Sequence, residues 1–213
     1  MDRTKKLMAG QIVVFLLVAA FSMPVEADEM VIEPSSGRSF PATRDGLNLL
    51  GVAVRKKFVI NVYALALYVD TKGFAAKVGA EVDKEEASRA VLSGAFKKRL
   101  DILFVLNAPV GKVRSAFRKA IALNMSEEDM EAEKESIEAF LASFRTVKRG
   151  EIFTMVSVGK TTTIYMGSER MFKTSNPKLS YAMWAGYISG TNISETLRTN
   201  LLVRAPDMVT ETR

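Results

Sequence analysis

The 213-residue chain contains no cysteine and no histidine. The first absence excludes a disulfide framework, a thiolate nucleophile and thiolate metal ligands. The second excludes a His-centred triad, a His-held haem and the usual zinc donor sets. Acid–base chemistry would fall to carboxylates, lysine, tyrosine or water, and no metal and no cofactor are expected. Internal repeats, low-complexity stretches and obvious linkers are also missing. What is there is 48% hydrophobic and 25% charged, the composition of a globular chain long enough for one medium domain.

Lys+Arg outnumber Asp+Glu by 30 to 24. The densest basic cluster is Lys97, Lys98 and Arg99, followed by Lys112, Arg114, Arg118 and Lys119. A nucleic-acid groove would interleave such residues with exposed aromatics or carry a known binding motif. Neither is seen, so no nucleic-acid partner is expected and the basic residues read as solvated surface.

The first residues read as an address. Arg3, Lys5 and Lys6 precede an unbroken apolar run from Ile12 to Phe21, Pro24 breaks it, and Val25-Glu26-Ala27 places small residues where a signal peptidase cuts. The run rises only about 15 Å as a helix, half of a hydrocarbon core. The longer stretch Leu7–Met23 is just long enough to act as an uncleaved anchor. Residues 1–27 are expected to be a cleavable signal peptide, with 28–204 a single domain and 205–213 a flexible tail. The protein would then be periplasmic or secreted, with no stable membrane span after cleavage.

Within the domain, Met30–Pro34 and Arg38–Pro41 read as short strands around Ser35-Ser36-Gly37, and Leu47–Val54 as a third. Phe58–Val69 is the strongest strand signal. Both of its alternating faces are apolar, which predicts cover on both sides, and its length predicts a bend or bulge. Helices are expected near Phe74, near Lys84 and after Pro109, where Val113, Phe117, Ala120 and Ile121 form an apolar stripe with basic residues opposite. Leu100–Leu106 reads as a strand between them. Ser126 with Asp129 is a variant capping box ahead of Met130, Ile137, Leu141 and Phe144. A hairpin over Glu151–Val156 and Thr162–Met166 turns at Val158-Gly159-Lys160. Helices over Lys178–Ile188 and Ser194–Leu202 follow. This order predicts an α+β fold with a mostly antiparallel sheet.

Two short patterns carry nothing. Gly159-Lys160-Thr161 lacks the glycine and the strand–loop–helix context of a phosphate-binding loop. The acidic run Glu127, Glu128, Asp129 and Glu131 is explained by a solvated helix start.

The segment Gly51-Val52-Ala53-Val54-Arg55 followed by Tyr63-Ala64-Leu65-Ala66-Leu67-Tyr68 is more specific. With Val147-Lys148-Arg149-Gly150-Glu151 before a hairpin, and Tyr181–Gly190 before Ile193-Ser194-Glu195-Thr196-Leu197, it resembles the chalcone isomerase-like family over nearly the whole mature chain. The resemblance implies an open-faced β-sandwich, with helices layered on a large antiparallel sheet and a cleft between. It also implies one of two activities: intramolecular lyase chemistry on a chalcone, or fatty-acid binding without catalysis. Of the polar set of the enzymes, only the arginine matches, at Arg55. The second-strand threonine falls on Tyr63, as in the fatty-acid-binding members. The helix Tyr and Asn fall near Gly111 and Arg118, with Asn107 nearby, and the position near the closing glycine falls on Tyr187.

The implied ligand-binding residues are therefore Arg55, Tyr63 and Tyr187, for a small amphipathic carboxylate or phenolic ligand. A guanidinium fork matches a carboxylate bidentately and a phenol adds one donor. Catalysis stays open and is the less expected reading; an isomerase would use Arg55 and Tyr63 to stabilise an oxyanion. A partner-binding module with its cleft filled by side chains is a third reading. A two-residue turn between the strands would place Arg55 and Tyr63 on opposite faces; an odd loop or a bulge would reunite them.

Overall fold

The computed structural model describes residues 29–79, 81–191, 194–210 and 212. The expected signal peptide lies outside them. Seven antiparallel strands form one sheet in chain order: β3 (Thr43–Arg44), β4 (Leu47–Lys57), β5 (Ile60–Val69), β6 (Lys98–Phe104), β7 (Ile152–Val158), β8 (Thr161–Met166) and β9 (Glu169–Thr174). A separate hairpin, β1 (Met30–Glu33) with β2 (Arg38–Pro41), precedes them. Its turn uses Gly37 at φ 65°, a left-handed conformation that glycine adopts freely.

Helices enter between the strands. Helices α1 (Thr71–Ala75) and α2 (Lys84–Ser93) lie between β5 and β6. Helices α3 (Val110–Ala122), α4 (Glu127–Ala132) and α5 (Lys134–Ala142) lie between β6 and β7, and α6 (Pro177–Ile188), α7 (Glu195–Leu201) and α8 (Ala205–Thr210) follow β9. Local chemistry sets their starts. Asp83 accepts a hydrogen bond from the Glu86 N–H, Ser126 from Asp129 and Ser194 from Leu197. Asn176 accepts from Lys178 and Leu179, with Pro177 in the first turn where its missing N–H costs nothing.

Strand β5 explains the layering. Leu65, Leu67 and Val69 join the main core with residues of α2, α3, α5, α6 and α7. Ala64, Ala66 and Tyr68 face the other way and pack with Phe40, Leu47 and Leu49, beneath Val31 of the first hairpin. Over Ala64–Val69 both faces of the strand are covered, as the doubly apolar pattern requires, whereas the expected cover fails at the start of the segment, where Phe58, Val59 and Ile60 are exposed. The single tryptophan, Trp184 on α6, is buried and donates its indole N–H to Ser157 Oγ at 2.8 Å. The fold is the α+β architecture expected from the order of the elements, an antiparallel sheet with helices layered on it.

Four details differ from expectation. The long strand begins at Ile60, not Phe58, because Phe58 and Val59 form the turn of the β4–β5 hairpin. Strand β9 extends the expected hairpin into a three-stranded meander; four of the six residues of Glu-Arg-Met-Phe-Lys-Thr are polar, as suits an edge strand. The expected flexible tail begins as helix α8, whose Ala205, Met208 and Val209 are buried in the main core. Finally, the Lys97–Arg99 cluster is not uniformly solvated. Lys98 is buried, its ammonium donating to the Val91 and Gly94 carbonyls. Arg99 pairs with Asp45 at 2.6 Å and Asp101 at 2.8 Å.

Candidate functional site

The site begins with an irregularity in the β4–β5 ladder. Lys57 pairs with Ile60 and Lys56 with Asn61, but the next partner of Arg55 is Tyr63. Val62 is the extra residue, a β-bulge. Without it, the two-residue turn would place Arg55 opposite Val62 and send the Tyr63 side chain to the other face. With it, Arg55 and Tyr63 stand side by side across the ladder on the helical side of the sheet.

They open into a cavity of about 400 Å³ between the sheet and helix α3, a size typical of small-molecule sites. Arg55, Tyr63 and Tyr187 all line it. Its inner wall is apolar: Phe104 from β6, Val113, Phe117 and Ala120 from α3, and the backbone of Gly186 from α6. Tyr63 packs against Phe104 with ring centroids 5.7 Å apart, and Tyr187 meets Phe117 edge-on at 6.4 Å. Gly186 lets the helices close over this wall, since a Cβ there would lie 3.1 Å from that of Ala120. The crevice is therefore not filled by its own side chains.

Among the described residues, the charged groups that line the cavity are all of one sign. Arg55, Lys56, Lys57, Lys112 and Lys119 border the cavity, and among the described residues no carboxylate does. Among the described residues, none of these five forms an ion pair. The four lysines are exposed and mark the mouth, whereas Arg55 is half-buried.

Both phenols are held neutral. Removal from water pushes the Tyr63 hydroxyl up to about 12, against the opposing pull of the Arg55 charge. Tyr187 is pushed well above its ordinary value, again by burial first and then by its neighbour Tyr63. At neutral pH each phenol is a hydrogen-bond donor and neither is a ready base.

The remaining family positions lie elsewhere. Gly111 is exposed on the first turn of α3, and Arg118 points away to Glu138, bonded at 2.6 Å. Asn107 accepts from the Arg149 N–H at 2.8 Å. Conversely, Lys112 and Lys119 border the cavity although their stretch reads as a solvated helix face. The signal for them is their spacing: they are seven residues apart, two helical turns, flanking the stripe of Val113, Phe117 and Ala120.

Comparison with known proteins agrees with this architecture. The profile of the family described as chalcone isomerase-like matches residues 35–203. Fatty-acid-binding protein 1 of Arabidopsis thaliana is 31% identical over 135 residues, covering 56% of this chain and 48% of that protein. The chain thus spans about half the length of the curated relative it matches. The crystal structure of a fatty-acid-binding protein from Arabidopsis thaliana has a TM-score of 0.73 to this chain at 20% identity. The match covers 85% of this chain and 100% of that one, and the likeness is one of fold.

Proposed function

The chain belongs to the chalcone isomerase-like family, and from that premise we propose that it is a non-catalytic binder of a small amphipathic carboxylate such as a fatty acid. One observation carries this reading: the Val62 bulge sets Arg55 beside Tyr63 at an apolar cavity whose charged lining is wholly cationic. The Arg55 fork takes the two carboxylate oxygens and the neutral Tyr63 hydroxyl donates to one of them. Tyr187 and the Phe104–Phe117 wall receive the tail, where each buried methylene contributes about 0.8 kcal/mol. The exposed lysines raise the local concentration of anions at the mouth.

The geometry offers less to a cyclisation reaction. That reaction would need a base to deprotonate a substrate phenol, and both tyrosines hold their protons at neutral pH. The name of the Arabidopsis relative, a fatty-acid-binding protein, points the same way.

The test is to extract the purified protein and identify co-purifying small molecules by mass spectrometry, then titrate it with fatty acids by displacement of a fluorescent fatty acid. Saturable binding that weakens in Arg55→Ala supports the proposal. Consumption of a chalcone, seen as loss of its visible absorbance and abolished in Arg55→Ala, would replace it with the isomerase reading.

We further propose that the protein is exported through the N-terminal signal and works in the periplasm or outside the cell. The expected mature N-terminus is Asp28, read by N-terminal sequencing of the protein recovered from an osmotic-shock fraction. Recovery of an intact chain from the cytoplasm alone would refute export.

A further inference from the structure

The β4–β5 hairpin ends in an apolar tip. Phe58 is 90% exposed, Val59 92% and Ile60 55%. Among the described residues, neither Phe58 nor Val59 joins a core cluster. Phe58 also sits at φ 55°, a left-handed conformation unusual for a bulky residue and ordinarily given to glycine or asparagine in such turns. The fold gains no burial from an aromatic there and bears local strain to keep one. Behind the tip stand Lys56 and Lys57, both exposed and both at the cavity mouth. Leu106, 42% exposed, lies at the same end of the sheet, just past the Val105 N–H that donates to the Val62 carbonyl at 3.1 Å.

We propose that this end of the molecule docks on an anionic lipid bilayer. Phe58 and Val59 enter the acyl boundary, Lys56 and Lys57 rest on the headgroups, and the cavity mouth faces the membrane. Two features favour a bilayer over a protein partner. The tip is two residues wide, far short of the roughly 800 Å² per partner that a stable protein interface buries. Bilayers, by contrast, accept an apolar wedge backed by basic residues, the lysines being drawn by the negative surface potential. Docking stands on the tip and its lysines; that it serves to load the cavity rests on the fatty-acid reading.

Because the chain has no cysteine, a single label reports one place. Val59→Cys carrying an environment-sensitive fluorophore is titrated with vesicles of phosphatidylcholine alone or mixed with phosphatidylglycerol. Lys160→Cys, on the β7–β8 turn at the opposite end of the sheet, is the reference. The expected result is a blue-shifted, brighter emission at position 59 with phosphatidylglycerol vesicles only, and no change at position 160. Adding Lys56→Gln and Lys57→Gln weakens the partition roughly 25-fold. An unresponsive label at 59, with the chain vesicle-bound or not, overturns docking through the tip. So does an equal response to uncharged vesicles. A concentration-dependent blue shift without vesicles assigns the tip to self-association and overturns the proposal too. Displacement of a fluorescent fatty acid without vesicles reads the cavity separately, so failure of either proposal is seen independently.

Discussion

Arg55 faces Tyr63 across the β4–β5 ladder because Val62 is left unpaired between Asn61 and Tyr63. That one-residue bulge converts a hairpin register that would divide the two groups between opposite faces into one that presents both to the same cavity. The tightness of anion capture should then depend on the fork and the phenol together.

Replacing Arg55 by alanine should weaken fatty-acid binding about 10- to 100-fold, the worth of charge-assisted hydrogen bonds to a carboxylate. Arg55→Lys should fall between, keeping charge and losing the fork. Tyr63→Phe should cost about tenfold or less. Arg55 is half-buried and unpaired among the described residues, so the thermal midpoint of Arg55→Ala should barely move. Fluorescent displacement titration and calorimetry check both statements, and equal affinities in all four proteins would remove the anion site.

The cavity can be closed without touching any polar group. Ala116 is exposed on α3 yet borders the mouth. Ala116→Trp should abolish binding of long-chain carboxylates while unfolding at nearly the wild-type temperature, since an exposed substitution shifts stability by about 0.5 kcal/mol or less. Undiminished binding would place the ligand elsewhere on the protein.

Gly51 has a different task from the arginine four residues later. A Cβ on Gly51 would collide with the Asn200 carbonyl oxygen and the Leu201 backbone of α7. Gly51→Ala should therefore force α7 off the sheet and destabilise the protein by about 1–3 kcal/mol, measured by urea unfolding. A neutral result would mean that α7 moves away without penalty.

Stability should rise with pH and then fall. Burial pulls the Lys98 ammonium down to about 8 from its ordinary 10.5. Between those values the unfolded chain binds the extra proton, so unfolding grows costlier as pH climbs, by on the order of 3 kcal/mol in full. Burial pushes Tyr63 and Tyr68 the other way, up to about 12 from 10. Above pH 10 the unfolded state releases those protons first and stability declines. Chemical denaturation from pH 7 to 11 should show a maximum near pH 10, and Lys98→Met should flatten the rising limb. A rising limb that persists in Lys98→Met would assign it to other groups.

Much of the scaffold is legible in the residue order. The doubly apolar pattern of β5, the cap at Ser126 and the turn at Gly159-Lys160 all rest on short-range patterns that the structure keeps. What is not legible depends on partners distant in sequence. The length of the β5 segment predicts a bend or bulge, but its position at Val62 is a property of two paired strands together, and the side-chain pattern of β5 alone does not fix its offset against β4. Strand β9, an edge strand paired only with β8, is polar at four of its six positions, so its alternation is weak. Lys98 looks like its neighbours Lys97 and Arg99 until Trp184 is seen 5.1 Å above its ammonium. Helix α8 looks like a polar tail because its buried positions are only Ala205, Met208 and Val209. The candidate anion site is split in the same way. Arg55, Tyr63 and Tyr187 follow from the family resemblance, whereas the placing of Lys112 and Lys119 at the rim beside Lys56 and Lys57 of β4 depends on how α3 is laid over the sheet.

A stretch of strand clad on both faces, as Ala64–Val69 of β5 is, should exchange its amide protons only when the domain as a whole comes apart. Tyr63 adjoins that clad segment, so the inner floor of the crevice is tied to the most firmly held part of the sheet. Helix α3, which borders the opening with exposed Lys112, Ala116 and Lys119, bears on the sheet through one face alone. Widening for a bulky guest should come mainly from that roof, and slow amide exchange over Ala64–Val69 beside faster exchange in α3 would be its signature.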